Sequence, residues 1–293
     1  MTLVDGDEIL EARILVHGIA AAGAKLPARL ISGGRNAIAR DESGNEYLLP
    51  NGAAGIPEGA KLDIIVTRSA IPGTEPWKRP LARAAGQHDG LSDPVAATPA
   101  TLPASWDDLV EEARGGIVRF PGGELRISAA PAMTLIDVDG HLAPDELAVV
   151  GAREAARAIR RLDIGGSIGI DLPTTGSKAV RQSAAQEIDG ILPQPFERTA
   201  VNGFGFVQIV RPRRRASLVE LAQDRASFEA RALLRRAGFE PPGAKRLVAH
   251  PAVIAVLDAH KEWLDALSLQ LGGAIALRGD PALPMSGGYA ESA

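Results

Sequence analysis

Met-Thr-Leu-Ile-Asp-Val-Asp, residues 133–139, and Ser-Ile-Gly-Ile-Asp, residues 167–171, are two short apolar runs that each end in aspartate. Between them, Pro144 begins a run with apolar residues at helical spacing, and a glycine pair ends it. The order strand, helix, strand predicts a β–α–β unit. Because strands and helices continue to alternate on either side, this part of the chain is predicted to form a layered α/β domain.

A change of composition at residues 84–105 divides the chain of 293 residues into two parts. This stretch contains three prolines and few large apolar side chains, which predicts a flexible linker. The second domain is therefore predicted to comprise residues 106–293. Its expected elements include a hairpin turning at residues 121–123, and a helix opened by a Ser-x-x-Glu capping box and extending to about residue 236.

The first part, residues 1–83, is rich in short strand-like runs separated by Gly, Asp, Asn and Pro. The predicted strands are residues 12–17, 25–31, 36–39, 46–49 and 61–67. Five short strands in so few residues predict a small antiparallel barrel of the OB type. Any other small β domain remains open as an alternative. The fold class is thus mixed α/β, with an OB-like barrel followed by a layered α/β domain.

Composition excludes several classes of protein. The chain has no cysteine, so disulfides, thiolate zinc sites, iron–sulfur clusters and cysteine nucleophiles are excluded. The net charge is −4, from 32 basic and 36 acidic residues, which argues against a surface that is basic throughout. Neither a signal peptide nor an apolar run long enough to span a bilayer is present, so we expect a cytoplasmic protein without membrane contact.

Three aspartates are the main candidates for chemistry. Asp137 and Asp139 lie two apart on a strand and therefore share one face. Asp171 ends the next strand, so in a parallel sheet it would meet Asp137 at the carboxyl edge, where α/β sites usually lie. Carboxylates without histidine or cysteine suit Mg²⁺, which activates water and neutralises a phosphoryl group. The alternative is that these residues only end strands or cap helices.

Residues 200–247 form a basic segment within an acidic chain. They contain ten Lys or Arg and four Asp or Glu, a net charge of +6. The cluster Arg-Pro-Arg-Arg-Arg at 211–215 follows a predicted strand and is suited to binding phosphates. The alternative is a solvated loop.

Several motifs occur in order along the chain. They are Pro121-Gly-Gly-Glu-Leu-Arg-Ile-Ser, Ala132-Met-Thr-Leu-Ile-Asp-Val-Asp139, the stretch from Glu154 to Asp171, Phe204-Gly-Phe-Val-Gln-Ile-Val-Arg-Pro-Arg213 with Ser217-Leu218, His250-Pro251 and Gly279-Asp-Pro-Ala-Leu283. Together these motifs resemble the ribonuclease E/G family. The resemblance extends over residues 115 to 283, and in the barrel it is by arrangement more than by residues.

The resemblance implies an OB-type barrel and a deoxyribonuclease-I-like catalytic region. It implies an endoribonuclease that cuts single-stranded RNA with Mg²⁺, Mn²⁺ being the alternative cation, and leaves a 5′-phosphate and a 3′-hydroxyl. Asp137 and Asp171 match the metal-holding and catalytic residues, and Asp139 replaces the family's usual asparagine as an assisting ligand. The candidates for RNA contact are Lys78, Arg79, Arg119, Arg211, Arg213 and Arg214.

Two departures from the family limit these expectations. The interval between barrel and catalytic region is too short for the family's 5′-end sensor, and without cysteine the zinc-linked dimer cannot form. The third carboxylate at Asp139 puts the rate of cleavage in question. The alternatives are a non-catalytic RNA-binding protein with the same fold and a structural or interaction module of an RNA-processing complex.

Overall fold

A computed structural model describes residues 2–16, 18–71, 78–86 and 105–293. Within these residues the fold is mixed α+β, with seven α-helices, several sheets and a small closed barrel. The chain divides into two compact units, Met1–Glu220 and Leu221–Ala293. Residues 87–104 of the predicted linker lie outside the described residues. No helix in the described part of the chain is long and apolar enough to cross a bilayer.

The first unit begins with an antiparallel hairpin of β1 (Thr2–Asp5) and β2 (Glu8–Ala12). A closed five-stranded barrel follows. Its strands are β3 (Lys25–Ser32), β4 (Ala37–Asp41), β5 (Glu46–Leu49), β6 (Lys61–Arg68) and β7 (Leu81–Ala84).

The barrel has the strand order β3-β4-β5-β7-β6, and β6 pairs back with β3. All neighbours are antiparallel except β5 and β7, which pair in parallel at Leu48 and Leu81. Alternate side chains fill the interior, including Leu30, Leu49 and Ile64. The predicted small barrel is therefore present, but one of its five strands is not the one that was predicted. The predicted strand at residues 12–17 was wrong, because residues 13–16 have no regular structure, and β7 takes the fifth place.

The rest of this unit consists of three helices and a six-stranded sheet with the order β12-β13-β11-β10-β9-β8. In chain order its elements are α1 (Trp106–Gly115), β8 (Ile117–Phe120), β9 (Gly123–Ala129), β10 (Thr134–Gly140), α2 (Pro144–Arg161), β11 (Gly166–Asp171), α3 (Lys178–Ile191), β12 (Glu197–Arg198) and β13 (Phe206–Arg211). The predicted hairpin at residues 121–123 joins β8 to β9 and is confirmed.

Helices α2 and α3 pack on each other, and α2 packs on β9 and β10. The buried face of β10 carries Ile136 and Val138. A Cβ on Gly151 of α2 would lie 2.4 Å from Cγ1 of Val138, so glycine lets the helix approach the strand closely. Because side chains alternate along a strand, the other face of β10 presents Leu135 and two aspartates away from this core.

The second unit places helices on a three-stranded sheet. Its helices are α4 (Leu218–Gln223), which spans the boundary between the units, α5 (Arg225–Ala237), α6 (Pro251–Ala259) and α7 (Lys261–Leu271), and its strands are β14 (Lys245–Ala249), β15 (Ile275–Gly279) and β16 (Tyr289–Ser292). The capping box is confirmed, since Ser217 Oγ accepts from Glu220 N at 3.2 Å and Ser217 N donates to the Glu220 carboxylate at 2.8 Å. The single long helix was wrong, because Asp224 interrupts it and caps α5 by accepting from Ser227 N.

Candidate metal and nucleic-acid site

Asp137 and Asp171 are register partners in the parallel pair of β10 and β11. The predicted β–α–β unit with neighbouring parallel strands is therefore confirmed. Both residues are exposed, on the face of the sheet that turns away from α2. Adjacent strands lie about 4.8 Å apart, so the two carboxylates project side by side from one edge of the sheet.

The loop after Asp171 is held at several points. Thr175, which is buried, donates from its hydroxyl to the carboxylate of Asp145 at the start of α2. Thr174 Oγ1 donates to the carbonyl of Phe204 at 3.1 Å. Because the loop is tied both to the helix and to the turn before β13, the backbone that carries Asp171 has a fixed position.

The turn before β13 depends on Gly205. Its φ is +91°, a region that L-residues rarely adopt. A Cβ at this position would lie 2.1 Å from the carbonyl oxygen of Leu172, the residue after Asp171. Leu172 N also donates to the Gly205 carbonyl at 3.2 Å. The close contact of these two backbone segments thus requires glycine.

The two aspartates have different neighbours. Asp137 lies opposite Arg126 of β9, whose guanidinium donates to Glu124 at 2.9 Å. The bond to Glu124 raises the pKa of Arg126, and the charges of Asp139 and Asp137 raise it further. Among the described residues, the carboxylate of Asp171 accepts no hydrogen bond and forms no ion pair. On its other side, Asp171 pairs with Phe206 of β13.

Asp139 lies on the same face as Asp137, one step further along β10 and opposite Glu124. Its Oδ1 accepts from Gly140 N at 2.8 Å. Within the described ranges, no group of three or more His, Cys, Asp or Glu residues is arranged to hold a metal ion. The arrangement brings together Asp137 and Asp171, and the assisting role of Asp139 stays a prediction.

Among the predicted RNA contacts, Arg119 is the one that shares the open face of the sheet with the aspartates. It lies on β8 opposite Glu124, its side chain is 78% exposed, and its Nε is 3.8 Å from the Glu124 carboxylate. It is therefore free to reach a phosphate next to the aspartate pair.

The other predicted arginines of this unit lie at the far end of β13. Arg211 pairs with Gly166, at the opposite end of β11 from Asp171, and its guanidinium donates to the carbonyl of Ile164 at 3.1 Å. Arg213 forms an ion pair with Glu220, whereas Arg214 is exposed. The sequence did not reveal this division into internally bonded and exposed guanidinium groups.

Lys78 and Arg79 precede β7 of the barrel. Arg79 donates to Glu46 at 3.0 Å, and Arg40 binds the other oxygen of that carboxylate at 2.7 Å. The hydrogen bonds from both arginines lower the pKa of Glu46. The exposed guanidinium groups of Arg40 and Arg79 thus share the carboxylate of Glu46, so these three side chains carry a net positive charge.

Sequence reasoning did not include Phe204 among the site residues. This side chain is 80% exposed, in the turn that contacts the loop after Asp171. Its place between two glycines, in Gly-Phe-Gly at 203–205, is the signal from which it could have been predicted. An exposed aromatic ring in the turn that is bonded to the loop after Asp171 provides a surface on which a base can stack.

No protein-family profile matches this chain, and no curated protein sequence matches it. The expectations drawn from the ribonuclease E/G motifs therefore depend on the residues and the geometry described above.

Proposed function

We propose that this chain is a cytoplasmic, Mg²⁺-dependent endoribonuclease of the ribonuclease E/G type that cuts single-stranded RNA and leaves a 5′-phosphate and a 3′-hydroxyl. One observation carries the proposal, namely the register pairing of Asp137 and Asp171 on the exposed edge of parallel strands. Neighbouring like charges on strands are unfavourable unless a cation accompanies them.

The donor set fits Mg²⁺, because the two exposed carboxylates offer hard oxygen ligands and leave room for several water ligands. When bound, the metal supplies an activated water and neutralises charge on the scissile phosphate. Asp137 and Asp171 would hold it, with Asp139 assisting. Mn²⁺ accepts the same oxygen ligands and is the alternative cation.

Arg119 on the open face of the sheet and Phe204 in the turn before β13 position the RNA. Arg119 binds the backbone next to the scissile phosphate, and Phe204 stacks a base beside it. The small closed five-stranded barrel supports an assignment to the OB type, which binds oligonucleotides, and supplies Lys78 and Arg79 as further contacts. Arg213 is bound to Glu220 and Arg211 to the carbonyls of Ile159 and Ile164, so Arg214 is the exposed phosphate contact of that segment.

The test is cleavage of a 5′-labelled single-stranded RNA with Mg²⁺, with Mn²⁺ and with EDTA. We expect metal-dependent cleavage by the wild type and at least a hundredfold loss in Asp137→Asn and Asp171→Asn. Asp265→Asn, an exposed carboxylate of α7, serves as the matched control. Equal activity in all three variants would falsify the proposal. RNA that is bound but never cut would indicate the alternative, a non-catalytic RNA-binding protein.

A further inference from the structure

A separate pocket of about 240 Å³ lies in the first unit, where Arg211 ends β13. Because Arg211 pairs with Gly166 at the start of β11, the pocket is at the opposite end of this strand from Asp171. Its lining includes five arginines: Arg13, Arg160, Arg211, Arg214 and Arg215. Two acidic residues, Glu11 and Asp163, also line it.

The two carboxylates are already engaged with arginines of the pocket. Glu11 accepts from Arg160 Nε at 2.8 Å and lies 3.4 Å from Arg13. Asp163 pairs with Arg215 at 2.9 Å. Since five guanidinium groups face two carboxylates, the lining carries a net charge of +3.

The two remaining arginines have no carboxylate partner among the described residues. Arg211 donates to the carbonyls of Ile159 and Ile164, at the end of α2. Arg214 is exposed, and its side chain has no partner in the described ranges. The pocket therefore retains guanidinium groups that an anion can approach.

The surroundings of Arg211 in the pocket disfavour its charged form. Burial lowers its pKa most, Asp163 and Glu11 act in the opposite direction, and the charges of Arg160 and Arg13 lower it further. The guanidinium groups of Arg160 and Arg13 thus repel that of Arg211 in a partly buried setting. A bound anion would relieve that repulsion.

We propose that this pocket is a binding site for a phosphate oxyanion, with room for one phosphate or diphosphate group. Guanidinium forks match the oxygens of phosphate in geometry and charge. The volume is below the roughly 300–1,000 Å³ of pockets for larger organic ligands. The proposal shares Arg214 with the RNA contacts proposed above but none of the residues that would hold the metal, so phosphate binding is tested separately from cleavage.

The probes are inorganic phosphate and diphosphate, titrated by calorimetry at constant ionic strength adjusted with chloride. We expect saturable binding by the wild type and about tenfold weaker binding by Arg214→Ala, which corresponds to about 1.4 kcal/mol, close to the contribution of one hydrogen bond to a charged group. Arg160→Gln should weaken binding similarly. Arg225→Ala removes one exposed arginine of α5 and is the matched control.

Arg214 has no side-chain partner, so its truncation should leave the fold unchanged, and circular dichroism checks this. Absence of saturable binding, or equal affinity in Arg214→Ala and Arg225→Ala, overturns the proposal. A short single-stranded RNA distinguishes the two sources of phosphate. If the RNA competes with inorganic phosphate for the pocket, the ligand is a phosphate ester within a polynucleotide. If the RNA does not compete, the ligand is a small phosphate compound.

Discussion

Asp137 and Asp171 occupy the same register position on neighbouring parallel strands, so their carboxylates project side by side into solvent. Arg126 lies opposite Asp137 on the other neighbouring strand, whereas Asp171 has Phe206 in the corresponding place. The uncompensated charge is thus concentrated at Asp171. This asymmetry makes Asp171 the better position at which to test whether the pair binds a cation.

Removing the charge of Asp171 should stabilise the protein in the absence of metal. We expect Asp171→Asn to raise the free energy of unfolding by about 0.2–1 kcal/mol in EDTA, because it removes a like-charge contact between strands. Mg²⁺ should stabilise the wild type, since a ligand that binds only the folded state shifts the unfolding equilibrium, and should leave Asp171→Asn unchanged. Urea unfolding with Asp265→Asn as control measures both effects. An equal effect of Mg²⁺ on all three proteins would contradict a metal site at this pair.

Phe204 provides a test of base stacking. Truncation in Phe204→Ala should weaken binding of single-stranded RNA by about 1–3 kcal/mol, the range for loss of one base–aromatic contact. Phe239→Ala is the matched control, because that ring is 60% exposed in the other unit. Fluorescence anisotropy in EDTA measures affinity without cleavage. If both variants bind as the wild type does, Phe204 has no part in RNA recognition.

The turn at residues 203–205 contains two glycines whose substitution by alanine should have different effects on stability. Gly205→Ala should destabilise the protein by about 1–3 kcal/mol, because the backbone has positive φ and the new Cβ would overlap Leu172 O. Gly203→Ala meets nothing within 4 Å and should be nearly neutral. Thermal unfolding of the two variants compares them directly. Similar losses of stability would show that this contact does not fix the loop after Asp171.

The ion pair between Arg153 of α2 and Glu187 of α3 should contribute to stability in a pH-dependent way. Two hydrogen bonds, both 2.8 Å, connect the side chains. The bond from Arg153 lowers the pKa of Glu187 below its usual 4.5, so the contribution is present above that pH and is lost as the pH falls through the lower value in the folded state.

Glu187→Gln should therefore lower the free energy of unfolding by about 0.5–1 kcal/mol at pH 7. The difference from the wild type should decrease towards zero as the pH is lowered below 4.5. Urea unfolding across this pH range measures it. A double-mutant cycle with Arg153→Met separates the pair from other effects. A difference that is independent of pH would mean that charge is not the cause.

The β–α–β unit and the aspartate pair at its strand ends could be predicted because both depend on local sequence patterns. Pro144 at the helix start and the aspartates at the strand ends are signals within a few residues. Parallel neighbours then follow from the handedness and adjacency of β–α–β units. The capping box of Ser217 and Glu220 is likewise a local signal, and it was correct.

Other features depend on contacts between distant residues. β7, Leu-Ala-Arg-Ala, has no β-branched residue and pairs with β5 more than thirty positions earlier in the chain, so propensity could not indicate it. Asp224 lies within a pattern that continues helical on either side, and only its hydrogen bond to Ser227 N shows the break. The direction of the Arg211 side chain is set by carbonyls at the end of α2, which the sequence does not place near it.

The hairpin of β1 and β2 contacts α2, where Arg160 binds Glu11, and Ser105 Oγ donates to the carbonyl of Asp7. Residues 2–12 therefore pack with elements that follow the barrel in sequence, so the barrel strands lie between two segments of the chain that contact each other. A fragment that starts at residue 105 would lose Glu11 and Arg13 along with the hairpin. Residues 25–84, by contrast, contain every strand of the barrel in one continuous stretch of sequence.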